Sequence, residues 1–185
     1  MKKSYLFLAT GFEEIEALGT TDALRRAGMD VKLVSISEEK QVCGAHGIVA
    51  KADYLFNEID CNDAEWLICP GGMPGASNLI AYEPLVAQLK NHADKGGKIA
   101  AICAAPAVVL ATSSLLRNRK ATAYPGFEAM LEAGGAVFTE GRAVVDGNIV
   151  TANSPGSTFA FARAIITVDR GAEVAAEVMH GMLVE

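Results

Sequence analysis

Apolar residues along this chain change period repeatedly. Residues 3–9 form a short, nearly continuous apolar run, the mark of a buried strand. Residues 13–27 then place apolar side chains at helical spacing, and Gly28 supplies a stop. A second strand is expected over 31–36, and alternation with glycines over 42–50 predicts a small antiparallel excursion. The short run 66–69 ends at Pro70-Gly71-Gly72. An amphipathic helix over 83–95 carries Leu85, Val86 and Leu89 on one side. A strand over 98–102 leads directly into a helix-forming stretch, 104–112. Two short strands, 143–145 and 149–152, flank Asp146-Gly147-Asn148, a strong hairpin signal. Helices over 157–168 and 172–179 close the chain.

Strands alternating with helices predict an α/β fold: a mostly parallel sheet with helices on both faces. The 185 residues are read as one domain, 1–185, with no internal repeat and no linker-like segment. In such sheets, sites lie at the carboxyl ends of the strands. Three marked loops fall there: 11–16, 70–75 and 103–106.

Composition narrows the function classes. The chain is 51% hydrophobic and 21% charged, as ordinary globular proteins are. A net charge of −6 argues against an electrostatic grip on nucleic acid or an anionic membrane. No apolar run approaches the roughly 20 residues of a membrane span, and the N-terminus lacks a signal-peptide core, so a cytoplasmic protein is expected. Cys43, Cys61, Cys69 and Cys103 show neither CxxC pairing nor zinc-ligand spacing. His46, His92 and His180 are scattered, which argues against a metal site. Each cysteine is then inert or reactive.

Cys103 stands where a strand turns into a helix, among small residues, on a crowded elbow. The adjoining helix start favours negative charge, so a stabilised thiolate is expected. A buried core cysteine is the alternative on this stretch alone. The convergence of the three loops favours a nucleophile. Gly71 and Gly72 let backbone approach a ligand, and the N–H groups of Gly72 and Ala104 are placed to form an oxyanion hole; a plain tight turn is the other reading. Glu13 and Glu14 suit a first helical turn. Glu16 lies in a more apolar stretch, where burial raises a carboxyl's pKa and fits it for acid–base work. Tyr124-Pro125 and the loop from Asn153 to Gly156 are candidate pocket walls, and His46 is a candidate neighbour of the pocket.

Six stretches together resemble the ThiJ/PfpI family of the class I glutamine-amidotransferase-like superfamily, and most of all its DJ-one branch. They are 11–17 (Gly-Phe-Glu-Glu-Ile-Glu-Ala), 22–28, 70–76 (Pro-Gly-Gly-Met-Pro-Gly-Ala), 100–106 (Ala-Ala-Ile-Cys-Ala-Ala-Pro), 154–157 and 173–176. The resemblance implies a flavodoxin-like sandwich, a homodimer and no cofactor. It implies that Cys103 is the easily oxidised cysteine, with Glu16 hydrogen-bonded to it. Gly72 and Ala104 would then face the reacting oxygen. The chain departs from the family in its histidines. Tyr124 stands where that branch has a histidine before the proline, and Ala104 where protease-like relatives place one after the nucleophile. Gly44-Ala45-His46-Gly47 replaces a Ser-Arg-Gly pattern, which makes His46 a candidate substitute for the arginine.

Two functions follow as expectations. One is a cofactor-independent glyoxalase or deglycase acting on a small carbonyl substrate or a glycated protein. Its binding residues would be Gly71, Tyr124, His46 and Asn153. The other is a redox sensor or chaperone-like protein that works through oxidation of Cys103. Peptide or amide hydrolysis ranks below both, for want of a histidine.

Overall fold

The computed structural model describes residues 2–184. Its strands are β1 (Lys3–Leu8), β2 (Asp30–Ser35), β3 (Gln41–Cys43), β4 (Val49–Lys51), β5 (Tyr54–Leu55), β6 (Trp66–Cys69), β7 (Lys98–Ile102), β8 (Lys120–Ala121), β9 (Val137–Phe138), β10 (Ala143–Asp146) and β11 (Ile149–Ala152). The α-helices are α1 (Thr20–Arg26), α2 (Gly75–Ala81), α3 (Glu83–Asp94), α4 (Glu128–Ala133), α5 (Thr158–Arg170) and α6 (Ala172–Gly181). A seven-stranded sheet runs in the order β10-β11-β7-β6-β1-β2-β5. Its pairs are parallel except β10 with β11.

Alternation within β1 shows how the two faces are filled. Tyr5 and Phe7 join Leu67, Ile99 and Val109 in one apolar cluster. Leu6 and Leu8 join Trp66, Ile68, Ala100 and Phe161 in the other. A strand buried on both faces must be apolar throughout, which is why β1, β6 and β7 read as continuous runs. The fold class is therefore the expected one, a mostly parallel sheet with helices.

The expected strands and the two hairpins stand close to their predicted bounds. The helices beside the candidate site differ. The stretch read as one helix over 13–27 opens as a π-helix, Ile15–Gly19, before α1 begins. The stretch over 104–112 is likewise a π-helix, Pro106–Ala111. Each wider turn lies beside one of the two key side chains, Glu16 and Cys103. Periodicity at 3.6 residues does not separate such turns from α-helix. Short α2, α4, β5, β8 and β9 escaped the sequence reading because segments of two to seven residues carry too little periodicity.

The amino ends of the central strands are closed by charge. Lys98 Nζ meets Glu65 Oε1 at 2.6 Å and Asp169 Oδ1 at 2.9 Å, and the Trp66 indole N–H donates to Asp169 Oδ1 at 3.0 Å. That end is occupied with holding α5 to the sheet. Phe161 anchors α5 and is fully buried. Phe161→Ala should cost about 3–5 kcal/mol in urea unfolding. A loss below 1 kcal/mol would show that α5 does not depend on this contact.

Candidate active site

The carboxyl ends of β1, β6 and β7 are neighbours, so their loops meet. Cys103 follows β7 at once. It has φ +65°, a left-handed conformation that is costly for a side-chain-bearing residue. Three contacts hold it there. Its N–H donates to the Ala152 carbonyl at 2.9 Å, and its carbonyl accepts from Tyr124 N–H at 2.8 Å. Gly71 packs against its side chain: a Cβ on Gly71 would lie 2.6 Å from Cys103 Cβ and 2.8 Å from Glu16 Oε2. Gly72 is equally constrained, with φ +87° and room for no Cβ beside the Glu13 nitrogen. Both glycines of the Pro70-Gly71-Gly72 turn are thus required by contact.

Glu16 is fully buried. Its Oε2 accepts the Gly71 N–H at 2.7 Å. Its Oε1 makes no hydrogen bond of good geometry. The carboxyl and the Cys103 thiol nevertheless lie close enough to act on each other. Burial pushes Glu16 up to about 7; the Gly71 N–H and Cys103 pull it down, and the Glu13 charge adds to the rise. An apolar neighbourhood for Glu16 is what the sequence implied.

The thiol departs from expectation. Burial, then the Glu16 charge, push Cys103 up to about 12. The N–H groups of Ala104 and Gly72 both favour the thiolate, as expected of the elbow, yet they do not offset burial. Burial thus holds both members of the pair toward their protonated forms.

The remaining candidates separate. Tyr124 is fixed to the elbow through its main chain, and its side chain is exposed. Asn153 Oδ1 accepts from Ser157 Oγ at 2.6 Å and Ser154 Oγ at 3.0 Å, at the entry to α5. His46 is exposed and turned to the Glu14 carboxylate, with Nδ1 2.9 Å from Oε2. Sequence reasoning missed Glu14. Its Oε1 accepts N–H groups of His46 at 2.8 Å and Ile48 at 3.3 Å, fastening the β3–β4 hairpin beside the site. Gly44 makes this possible, since a Cβ there would collide with the carboxylate. A glycine spaced to admit a carboxylate was the available signal. A cleft of about 350 Å³ between Thr112, Arg117 and Met130 lies apart from these residues.

The family profile described as "DJ-1/PfpI family" matches residues 2–168. The chain belongs to the DJ-1/PfpI family. It is 38% identical over 176 residues to Protein DJ-1 homolog A of Arabidopsis thaliana, covering 95% of this chain but 45% of that protein. The match to DJ-1 homolog B from the same plant covers 96% of this chain and 40% of that protein. The chain thus spans less than half of these two relatives. Against the Parkinson disease protein 7 homolog of Danio rerio it is 32% identical, covering 100% of this chain and 98% of that one. Oxidized Toxoplasma gondii DJ-1 superposes with a TM-score of 0.94 at 39% identity, covering 99% of this chain and 98% of that chain. The likeness extends to a flavodoxin-like sheet. A family member from Thermococcus kodakarensis, named a deglycase, is 28% identical over 91% of this chain and 99% of its own.

Glu16 leaves a signature on stability. Folded, it keeps its proton to about pH 7; its ordinary value is 4.5. The folded state binds the extra proton between those values, so stability falls as pH rises through that window. The loss amounts to roughly 3 kcal/mol. Glu16→Gln should remove this slope in urea unfolding compared at pH 5 and pH 8. An unchanged slope would place the titration elsewhere.

Proposed function

We propose that this chain is a cofactor-independent enzyme of the glyoxalase or deglycase type, acting on 2-oxoaldehydes or early glycation adducts. One observation carries the reading: a buried carboxyl poised near 7, with one oxygen unpartnered, beside a cysteine on a strained elbow. Relatives named deglycase, at 28–29% identity, support the reaction class.

The Cys103 sulfur adds to the aldehyde carbon, and its proton passes to ionised Glu16. Attack and proton transfer together avoid the cost of a free buried thiolate. The N–H groups of Ala104 and Gly72 receive the oxyanion. Glu16 hands the thiol's proton on to that oxyanion, giving a hemithioacetal, and the carboxylate so regenerated moves a proton from the former aldehyde carbon to the neighbouring carbonyl carbon through an enediol, leaving a thioester. Water hydrolyses the thioester, freeing the hydroxy acid and restoring the thiol. Atoms balance as oxoaldehyde plus water giving hydroxy acid.

The oxidised state of the Toxoplasma relative favours a second reading, in which Cys103 is a sensor. Protonated Glu16 Oε1 would donate to a sulfinate oxygen. Turnover separates the two, because a sensor reacts once per chain.

We also assign this chain to the cytoplasm as a homodimer. Among the described residues no helix is long and apolar enough to cross a membrane. Ile15, Leu18, Ile48, Val49 and Phe159 expose apolar surface. Glu14 ties Ile48 to the first helix, and Gly19 abuts Phe159, so these side chains share one region. A clustered apolar patch is the mark of an interface.

Cys103→Ser and Glu16→Gln should each lower glutathione-free lactate formation from methylglyoxal by about a hundredfold or more. Full activity in either variant would sink the mechanism. For the wild type, kcat/KM should fall about tenfold per pH unit below 7, as Glu16 takes up its proton. A flat profile from pH 5 to 8 would count against Glu16 as base. Val49→Asp should convert the dimer to monomer in sedimentation; an unchanged dimer would place the interface elsewhere.

A further inference from the structure

Outside the reacting pair, one cluster brings together side chains that the sequence keeps apart. Glu13, Glu14 and His46 each offer one ligand atom, and these atoms lie within 4.8 Å of one another. Nδ1 of His46 is 2.9 Å from Glu14 Oε2 and 3.6 Å from Glu13 Oε2. Ligands about 2.0–2.2 Å from a shared cation stand roughly 3–3.6 Å apart, so the two spacings from His46 match edges of a coordination polyhedron, and the third lies within 4.8 Å.

The donors are also preorganised. Glu14 Oε1 is held by the N–H groups of His46 and Ile48, which leaves Oε2 to face the imidazole. Hydrogen bonds to the far oxygen of a ligating carboxylate are the usual outer support of a metal site. The Glu13 backbone is pinned by its N–H to the Gly71 carbonyl at 3.0 Å. The hairpin tip is closed by Gly47 N–H to the Gly44 carbonyl at 3.2 Å, and Ala45 N–H reaches the Phe12 carbonyl at 2.8 Å. The Glu14 side chain is only 6% exposed, whereas that of His46 is 67% exposed. Two carboxylates are thus fixed from below, and the imidazole points outward from the single chain, beside the apolar patch proposed as the dimer contact.

We propose that Glu13, Glu14 and His46 form a binding site for a first-row divalent cation such as Zn²⁺. One imidazole and two carboxylates suit a borderline cation better than Mg²⁺ or Ca²⁺, which prefer all-oxygen shells. Three protein ligands with water in the fourth position is an ordinary zinc arrangement. The site shares no ligand with the reacting pair and does not depend on the proposed reaction. Through Glu13 it is fastened to the turn that carries Gly71 and Gly72.

The test is calorimetric titration of chelator-treated full-length protein with Zn²⁺ alone. The Cys43→Ser/Cys103→Ser background keeps accessible sulfur from contributing. One ion per chain is expected, with affinity falling about tenfold or more in His46→Ala and in Glu13→Gln. His46 is exposed, so its replacement leaves the core intact; far-ultraviolet dichroism checks this. Co²⁺ alone should give visible d–d bands without a thiolate charge-transfer band in the wild type. Affinity unchanged by both substitutions would overturn the proposal, as would a cobalt charge-transfer band that vanishes in Cys103→Ser.

Discussion

The site depends on one hydrogen bond in a dry place: Gly71 N–H to the Glu16 carboxyl. Burial alone would drive Glu16 far toward its neutral form, and the Gly71 N–H moderates that rise. The bond also fixes where the carboxyl points. One oxygen is committed to the turn after β6, and the other is left beside the sulfur after β7. The turn can come this close only because Gly71 has no side chain. A single contact therefore joins backbone geometry, electrostatics and the poise of the nucleophile.

The rest of the architecture serves that contact. β1, β6 and β7 lie side by side, and their carboxyl ends deliver Glu16, Gly71 and Cys103 from three loops to one place. Elements buried on both faces do not shift without disturbing two cores, so the delivery is rigid. The opposite sheet end carries the Lys98–Asp169 network. Glu14 adds a further tie, fastening the β3–β4 hairpin beside the first helix.

Much of this was legible in the sequence. Apolar runs located β1, β2, β6 and β7, and the Asp146-Gly147-Asn148 turn located the hairpin. Cys103 and Glu16 stood out because their types conflict with their surroundings: a cysteine between strand and helix, an acid among apolar residues. Backbone detail was hidden. The π-turns at Ile15–Gly19 and Pro106–Ala111 follow from tertiary packing, which a 3.6-residue pattern does not encode. His46 looked isolated because its carboxylate partners are 32 or more positions away. The expected low thiol pKa failed for an electrostatic reason: two N–H donors do not outweigh burial beside a carboxylate.

The central claim is that Glu16 is a proton acceptor poised near neutrality for Cys103. Carbon-13 NMR of protein labelled at the glutamate side-chain carboxyl reads that proton directly, with Glu16→Gln used to assign the resonance. A Glu16 midpoint near pH 7 is the expected result. A midpoint near the ordinary 4.5 would mean that burial does not govern this carboxyl, and the proposed division of labour between Glu16 and Cys103 would be wrong.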